Sequence, residues 1–327
     1  MSHRPRSAAI RPLALMLTIA LLVTGCSFIR TAHQQPLEKT DLTVAAVPAI
    51  DSAGFLIALS RGLFAAEGLH VTFVPATSGE TVIADQMKGK YDITAGNYVS
   101  YIQAQENHTA DLRIVAEGSV MRPGSQAIYT MPGSQIKTLA DLEGKTVGVN
   151  APKNICYLLI ASALEQQGIP VSKVHFETFP FPSLASDLQE DIVQAAELPE
   201  PFASIGEQGY GLTRLTDLNL GSAQDFPIEG YVVTKQWARL YPHTLAAFLS
   251  ALHTGQEIAD SDRGAVEQAM ESLPAPYAVT PTTASVMALN TYPLALDTAQ
   301  LQRVADVMHQ FIGAPAFDIR SMLGNSG

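Results

Sequence analysis

The sequence predicts an α/β protein of two lobes, one inserted into the other, with a ligand cleft between them. Three observations carry this expectation. Short β-type runs alternate with helical stretches from residue 41 onward, the alternation begins afresh near residue 126, and the C-terminal part turns helical. Alternation with short connections implies βαβ units and largely parallel sheets covered on both faces.

The elements follow in order. Residues 42–47 (LTVAAV) form a β-type run closed by Pro48, and Leu56, Leu59 and Leu63 then recur at helical spacing. A second run at 71–74 (VTFV) leads through the turn-rich 76–79 (ATSG) into a helix carrying Val82, Ile83 and Met87, which Gly89 can stop. Residues 91–95 repeat the strand pattern, Gly96-Asn97 opens a helix near 98–105, and 112–116 make a further strand. The second unit starts with the extended run 126–130, a helical turn at 139–142 and a strand at 145–150 (KTVGVN). Asn154 can cap a helix whose apolar positions are Ile155, Leu158, Leu159 and Leu164, with Gly168 as its stop. Strands at 174–176 and 192–196 flank a helix carrying Leu184 and Leu188, and 231–234 is one more extended run. Two apolar stripes close the chain: Leu245, Phe248, Leu249 and Leu252, then Leu301, Val304, Ala305, Met308 and Phe311.

These elements assign 41–126 and 232–327 to lobe 1 and 127–231 to the inserted lobe 2, with 126–130 and 229–234 as hinge strands. Ligand loops in such sheets lie at the carboxyl ends of the strands, here 49–52, 77–79, 96–98, 151–154 and 197–201.

With 47% hydrophobic and 16% charged residues over 327 positions, the chain can bury a substantial core. Its 20 Lys+Arg against 31 Asp+Glu give a formal charge of −11, which argues against a nucleic-acid partner. Arg4, Arg6 and Arg11 precede the uncharged run 13–25 (LALMLTIALLVTG), which reads as a signal peptide over residues 1–25, too short to span a bilayer. The ending Leu22-Val23-Thr24-Gly25-Cys26 resembles a bacterial lipobox, so Cys26 is the expected lipidation site and membrane anchor, and 26–40 the flexible tether. Cleavage there leaves a balance of −14 and Cys156 as the one remaining thiol not lipidated, so no intramolecular disulfide is expected.

Four segments carry a family resemblance: 51–69 (DSAGFLIALSRGLFAAEGL), 89–93 (GKYDI), 134–149 (SQIKTLADLEGKTVGV) and 194–202 (QAAELPEPF). In this order they resemble the solute-binding proteins of ABC importers for nitrate, aliphatic sulfonates, taurine and thiamine pyrimidines. The resemblance implies a type II periplasmic-binding-protein fold, two α/β lobes joined by hinge strands. It also implies an extracytoplasmic, monomeric receptor that closes around a small solute and delivers it to an ABC permease driven by its ATPase. A receptor for a thiamine-pyrimidine precursor is the alternative cargo. No catalytic residue, metal or cofactor is expected.

Candidate ligand contacts are Asp51 and Ser52, Ser78 and Gly79, Asn97 and Tyr98, Asn154, and Glu200. Loops that open helices offer free backbone N–H groups to anions. Tyr98 and Tyr101 are candidate aromatic walls. The 151–154 loop (APKN) departs from the family's Gly-Ser pattern, which weighs against a simple sulfonate. Asp51 would repel an anion and instead suits an amine or aminopyrimidine. Glu200 either faces ligand or caps the helix that follows it. A thiamine-pyrimidine synthase of related fold is the rival enzyme class; such enzymes carry a Cys-rich motif, whereas Asn154-Ile155-Cys156-Tyr157 offers one Cys. Cys156 is expected to be buried packing, and His70, His175 and His253 to lie at the surface.

Overall fold

The computed structural model describes residues 36–324. The predicted signal peptide, Cys26 and most of the tether lie outside the described residues. From Leu37 onward the chain forms one compact unit.

The first half builds β1 (Asp41–Ala46), α1 (Ala53–Ser60), α2 (Leu63–Ala66), β2 (His70–Pro75), α3 (Gly79–Met87), β3 (Ile93–Asn97), α4 (Tyr98–Glu106) and β4 (Leu112–Val120). The middle builds β5 (Gln126–Thr130), β6 (Thr146–Val149), α5 (Ile155–Glu165), β7 (His175–Thr178), α6 (Phe181–Gln189), β8 (Ala195–Pro199), α7 (Phe202–Tyr210) and β9 (Thr213–Asp217). The chain then returns through β10 (Pro227–Thr234), α8 (Lys235–Leu240), α9 (Pro242–Ser261), α10 (Arg263–Glu271), α11 (Pro281–Val286) and α12 (Thr298–Ile312).

Two five-stranded sheets result, ordered β2-β1-β3-β10-β4 and β7-β6-β8-β5-β9. Each is parallel on one side, where β1 pairs with β2 and β3, and β6 with β7 and β8. Each also has one antiparallel insertion, β10 between β3 and β4 and β5 between β8 and β9. The central strands β3 and β8 are buried at every position, whereas the parallel edge strands β2 and β7 remain largely exposed.

The helix boundaries have local causes. Asn154 Oδ1 accepts the N–H groups of Cys156 and Tyr157 and starts α5, and Asp297 does the same for Ala299 and Gln300 at α12. The short turn at 139–142 is held by a capping box: Asp141 Oδ2 accepts from Lys137 N, Thr138 N and the Thr138 hydroxyl. That turn is therefore a fold position in the most recognisable of the four motifs. The C-terminal helix α12 buries Leu301, Val304, Ala305 and Met308 against both α4 and α5, bridging the two sheets, and each large apolar side chain so buried contributes about 1.5–3 kcal/mol.

Four expectations need correction. β4 runs on past residue 116 to Val120, because Glu117 and Ser119 pair with β10 instead of turning. The eighth strand lies at Ala195–Pro199 and not at 192–196, since β5 pairs with residues 196–199; Glu197 is thus in a strand and not in a loop. Residues 227–231, assigned from the sequence to lobe 2, pair in the first sheet, so neither 126–130 nor 229–234 crosses between sheets. The crossing segments are 121–125 and 218–226. Finally, the end of the predicted tether is pinned: Glu38 accepts the N–H groups of His243 and Thr244, and Lys39 N donates to Thr244 Oγ1 at 3.0 Å.

Two glycines permit the closest helix crossing. A Cβ on Gly255 of α9 would lie 2.2 Å from the Gly54 carbonyl oxygen and 2.8 Å from Ala58 Cβ on α1. Helix propensity alone makes Gly255→Ala stabilising by about 1 kcal/mol, whereas overpacking against backbone costs about 1–3 kcal/mol. Urea unfolding of this variant is expected to show a net loss of stability.

Candidate functional site

The carboxyl ends of β1, β3, β6 and β8 converge where the two sheets face each other. The loop after β1 touches the loop after β8: Ile50 N donates to the Glu200 carbonyl at 3.0 Å. Asn150 Nδ2, after β6, donates to the Thr77 carbonyl at 3.3 Å, and Gln103 Nε2 of α4 to the Lys153 carbonyl at 2.9 Å. These contacts join the two sheets across the cleft.

Acidic side chains from both sheets are buried beneath them. Asp51 Oδ1 accepts from Ser119 Oγ and Asn290 Nδ2, both at 2.8 Å. Beside it Ser52 Oγ donates to Glu229 Oε1 at 2.7 Å, and Glu229 rides on β10. From the second sheet, Glu197 of β8 is fully buried, and neither of its carboxyl oxygens has a hydrogen-bond partner. The nearby Cys156 thiol donates to Asn150 Oδ1 at 3.1 Å, which occupies its single proton. Among the described residues no Lys, Arg or His forms an ion pair with Asp51, Glu197 or Glu229.

Uncompensated burial disfavours the charged form of each acid. It pushes Glu197 up to about 8, the Cys156 thiol nearby opposing the effect and the negative charge of Asp51 adding to it. Asp51 is raised by burial against the hydrogen bonds of Ser119 and Asn290, and Glu229 is raised by burial and then by Asp51. The last two share one region and hold fewer charges than carboxyls.

The predicted site residues divide into two groups. Asp51 and Ser52 belong to the acidic cluster. Asn97 and Asn154 lie at the cleft, but their side-chain oxygens cap α4 and α5: Asn97 Oδ1 accepts from Ser100 N at 2.9 Å and Asn154 Oδ1 from Cys156 N at 3.1 Å. Three of the N–H groups expected to meet an anion there, those of Ser100, Cys156 and Tyr157, are occupied. Ser78 is the N-cap residue of α3, its hydroxyl 3.2 Å from that of Thr81, and Gly79 packs against Asn97 and Ser100. Tyr98 is a buried side chain lying on Gly230, and Tyr101 bonds the Thr94 and Gly230 carbonyls, so neither is an open aromatic wall. Glu200 is fully engaged: its carboxylate accepts from Ser204 N, Ser204 Oγ and Ala288 N.

Sequence reasoning missed Glu197 and Glu229 as site residues. The available signal was a single acid inside an otherwise apolar strand, AAELP and PIEGYVVT, since buried acids are rare outside paired or functional positions. Cys156, His70, His175 and His253 lie where expected, the thiol buried and the three histidines exposed. Among the described residues no group of His, Cys, Asp and Glu is arranged to hold a metal ion, and no helix is long and apolar enough to cross a membrane.

A family model described as NMT1/THI5 like matches residues 49–264, which include the β1, β3, β6 and β8 loops and Asp51, Glu197 and Glu229. The chain belongs to the NMT1/THI5-like family. The bicarbonate transport ATP-binding protein CmpC of Synechocystis sp. is 27% identical over 234 residues, 66% of this chain and 34% of CmpC. The chain thus spans about a third of the length of that curated relative. Among solved structures, the alkanesulfonate-binding protein SsuA from Xanthomonas axonopodis pv. citri, bound to MOPS, superposes with a TM-score of 0.74 at 14% identity, covering 88% of this chain and 99% of SsuA. The desulfurization enzyme DSZB superposes with a TM-score of 0.63 at 17% identity, covering 86% and 96%. The periplasmic-binding-protein fold is therefore shared by a binding protein and an enzyme.

Two measurements probe this site. Glu197 binds its proton more tightly folded, at about 8, than as an ordinary carboxyl near 4.5. The contribution of Glu197 to stability is therefore fully present at acid pH and is lost as pH rises through that window, each tenfold difference in proton affinity being worth about 1.4 kcal/mol. Thermal melts are expected to drop between these limits, and Glu197→Gln to flatten the drop. Asn154→Ala is expected to lower unfolding stability by about 1 kcal/mol through loss of the α5 cap.

Proposed function

We propose that the chain is the extracytoplasmic solute-binding component of an ABC importer, capturing a small organic or nitrogen- or sulfur-containing solute by closure of the two sheets and delivering it to a permease. The observation that carries this reading is the set of cleft contacts. Hydrogen bonds at Ile50–Glu200, Thr77–Asn150 and Gln103–Lys153 link the two sheets and enclose the unpartnered polar atoms of Glu197. Binding energy from both sides is available only when the sheets face each other, so ligand shifts the population toward the closed form. The crossing segments 121–125 and 218–226 serve as the hinge. Lobe 1 then consists of the β2-β1-β3-β10-β4 sheet with its helices and lobe 2 of the β7-β6-β8-β5-β9 sheet.

The relatives support import: CmpC is a bicarbonate transport ATP-binding protein and SsuA an alkanesulfonate-binding protein. Binding without chemistry is favoured over catalysis, because Cys156 is a thiol held above its ordinary value by burial and hydrogen-bonded to an amide, a poor nucleophile. The lipid anchor at Cys26 and a monomeric receptor complete the reading.

The test is a panel of nitrate, bicarbonate, taurine, alkanesulfonates, aminopyrimidines and small amines against the purified chain. A bound solute at 100 times its Kd adds about 2.7 kcal/mol, a shift of a few degrees in Tm at this size. The same solute is expected to lower the radius of gyration in solution scattering. A ligand that raises Tm and leaves the scattering unchanged would remove the closure mechanism.

A further inference from the structure

The cleft has an unusual chemical bias. Its fully buried, unpartnered atoms include three acceptors, both carboxyl oxygens of Glu197 and the Asn290 carbonyl oxygen, whose amide nitrogen is fixed toward Asp51 by the bond it donates at 2.8 Å, and one hydroxyl, that of Tyr98. A buried acceptor without a donor is costly, and a buried acid without a partner more so. Three side-chain donors at hand are already occupied, the Cys156 thiol by Asn150, the Ser52 hydroxyl by Glu229 and the Ser119 hydroxyl by Asp51. At the starts of α4 and α5, the N–H groups of Ser100, Cys156 and Tyr157 face their own Asn caps. Glu197 belongs to the second sheet while Asp51 and Glu229 belong to the first, so a group lodged among them touches both sides of the closure.

Resting on the receptor reading, we infer that Glu197 reads the solute by accepting hydrogen bonds from a cationic or amino-bearing nitrogen head, with the Asp51–Glu229 pair as further counter-charge. Amines, amidines, guanidines and aminoheterocycles supply several N–H donors from one compact group, matching the orphan oxygens. A nitrate, bicarbonate or sulfonate head supplies acceptors where acceptors already stand. Such an anion would bind only if the acids stayed protonated and acted as donors, and that difference makes the inference testable. Glutamine reproduces a neutral carboxylic acid in size and in its ability to donate, but it cannot provide a charge.

The full chain, its Glu197→Gln variant and its Asp51→Asn variant are titrated calorimetrically and by thermal melting with butylammonium, methylguanidinium and 4-aminopyrimidine, and with nitrate, bicarbonate and ethanesulfonate. At least one nitrogen probe is expected to bind, to lose about 100-fold in affinity in Glu197→Gln, the loss typical of removing one charged partner from a buried contact, and to weaken in Asp51→Asn. Far-UV circular dichroism confirms that each variant is folded. Equal affinity of the nitrogen probe for wild type and Glu197→Gln overturns the assignment. Binding of an anion alone, with compaction in solution scattering, overturns it as well and leaves the receptor reading standing. Failure of every probe to bind or compact the chain overturns both.

Discussion

The structure depends on β10 returning antiparallel between β3 and β4. That single insertion brings the chain back from the second sheet to complete the first, and its register fixes what lies at the cleft. Glu229 falls opposite Asn97 on one side and Ser119 on the other, which places its carboxyl beside Ser52 and Asp51. The next residue, Gly230, has no side chain because the Tyr98 ring occupies that space; a Cβ there would lie 2.5 Å from the Tyr98 hydroxyl. A slip by one residue would turn Glu229 to the opposite face and exchange the side chains that β10 sends into the two cores, Val232 into one and Tyr231 and Val233 into the other. The packing of α4, the position of the acids and the geometry of the loops after β1 and β3 thus share one cause.

Electrostatics at the cleft follow from this packing and not from net charge. The chain's excess of acid is spread over its surface, where water and salt screen it. The three acids at the cleft are different because they are removed from water without a cation to compensate them. A proton is the one counter-ion available to them in the structure, so the site holds its carboxyls partly neutral. An entering group that brings positive charge or several N–H donors replaces those protons. Specificity then comes from the cost of leaving the acids unpaired with any other head group.

Much of the architecture was legible in the sequence. Apolar periodicity located most strands and the longer helices but not β9, α8, α10 or α11, and the motif at 134–149 owes its recognisable form to the capping box of Thr138 and Asp141. Asp51 and Ser52 were readable because they stand just past the end of an obvious strand. Glu197 was not, since it sits where a polar residue suggests the end of a strand; only the long-range pairing of β5 with residues 196–199 keeps it in the sheet. Local pattern could not supply that pairing. Asn154 was readable as the cap of α5, whereas Asn97, a polar residue at the mouth of the cleft in sequence, is a helix cap in space through its bond from Ser100 N. The tether's end failed for the same reason: its polar residues look solvated until the start of α9, more than 200 residues away, supplies partners for Glu38 and Lys39.

The C-terminal helix has a consequence for the order of assembly. Thr298–Ile312 fills the space between α4 and α5 with Leu301, Val304 and Met308, and Arg303 lies 5.3 Å from the Phe226 ring in the second crossing segment. Both α4 and α5 precede α12 in the chain, so a growing chain holds both sheets' helices before the element that joins them exists.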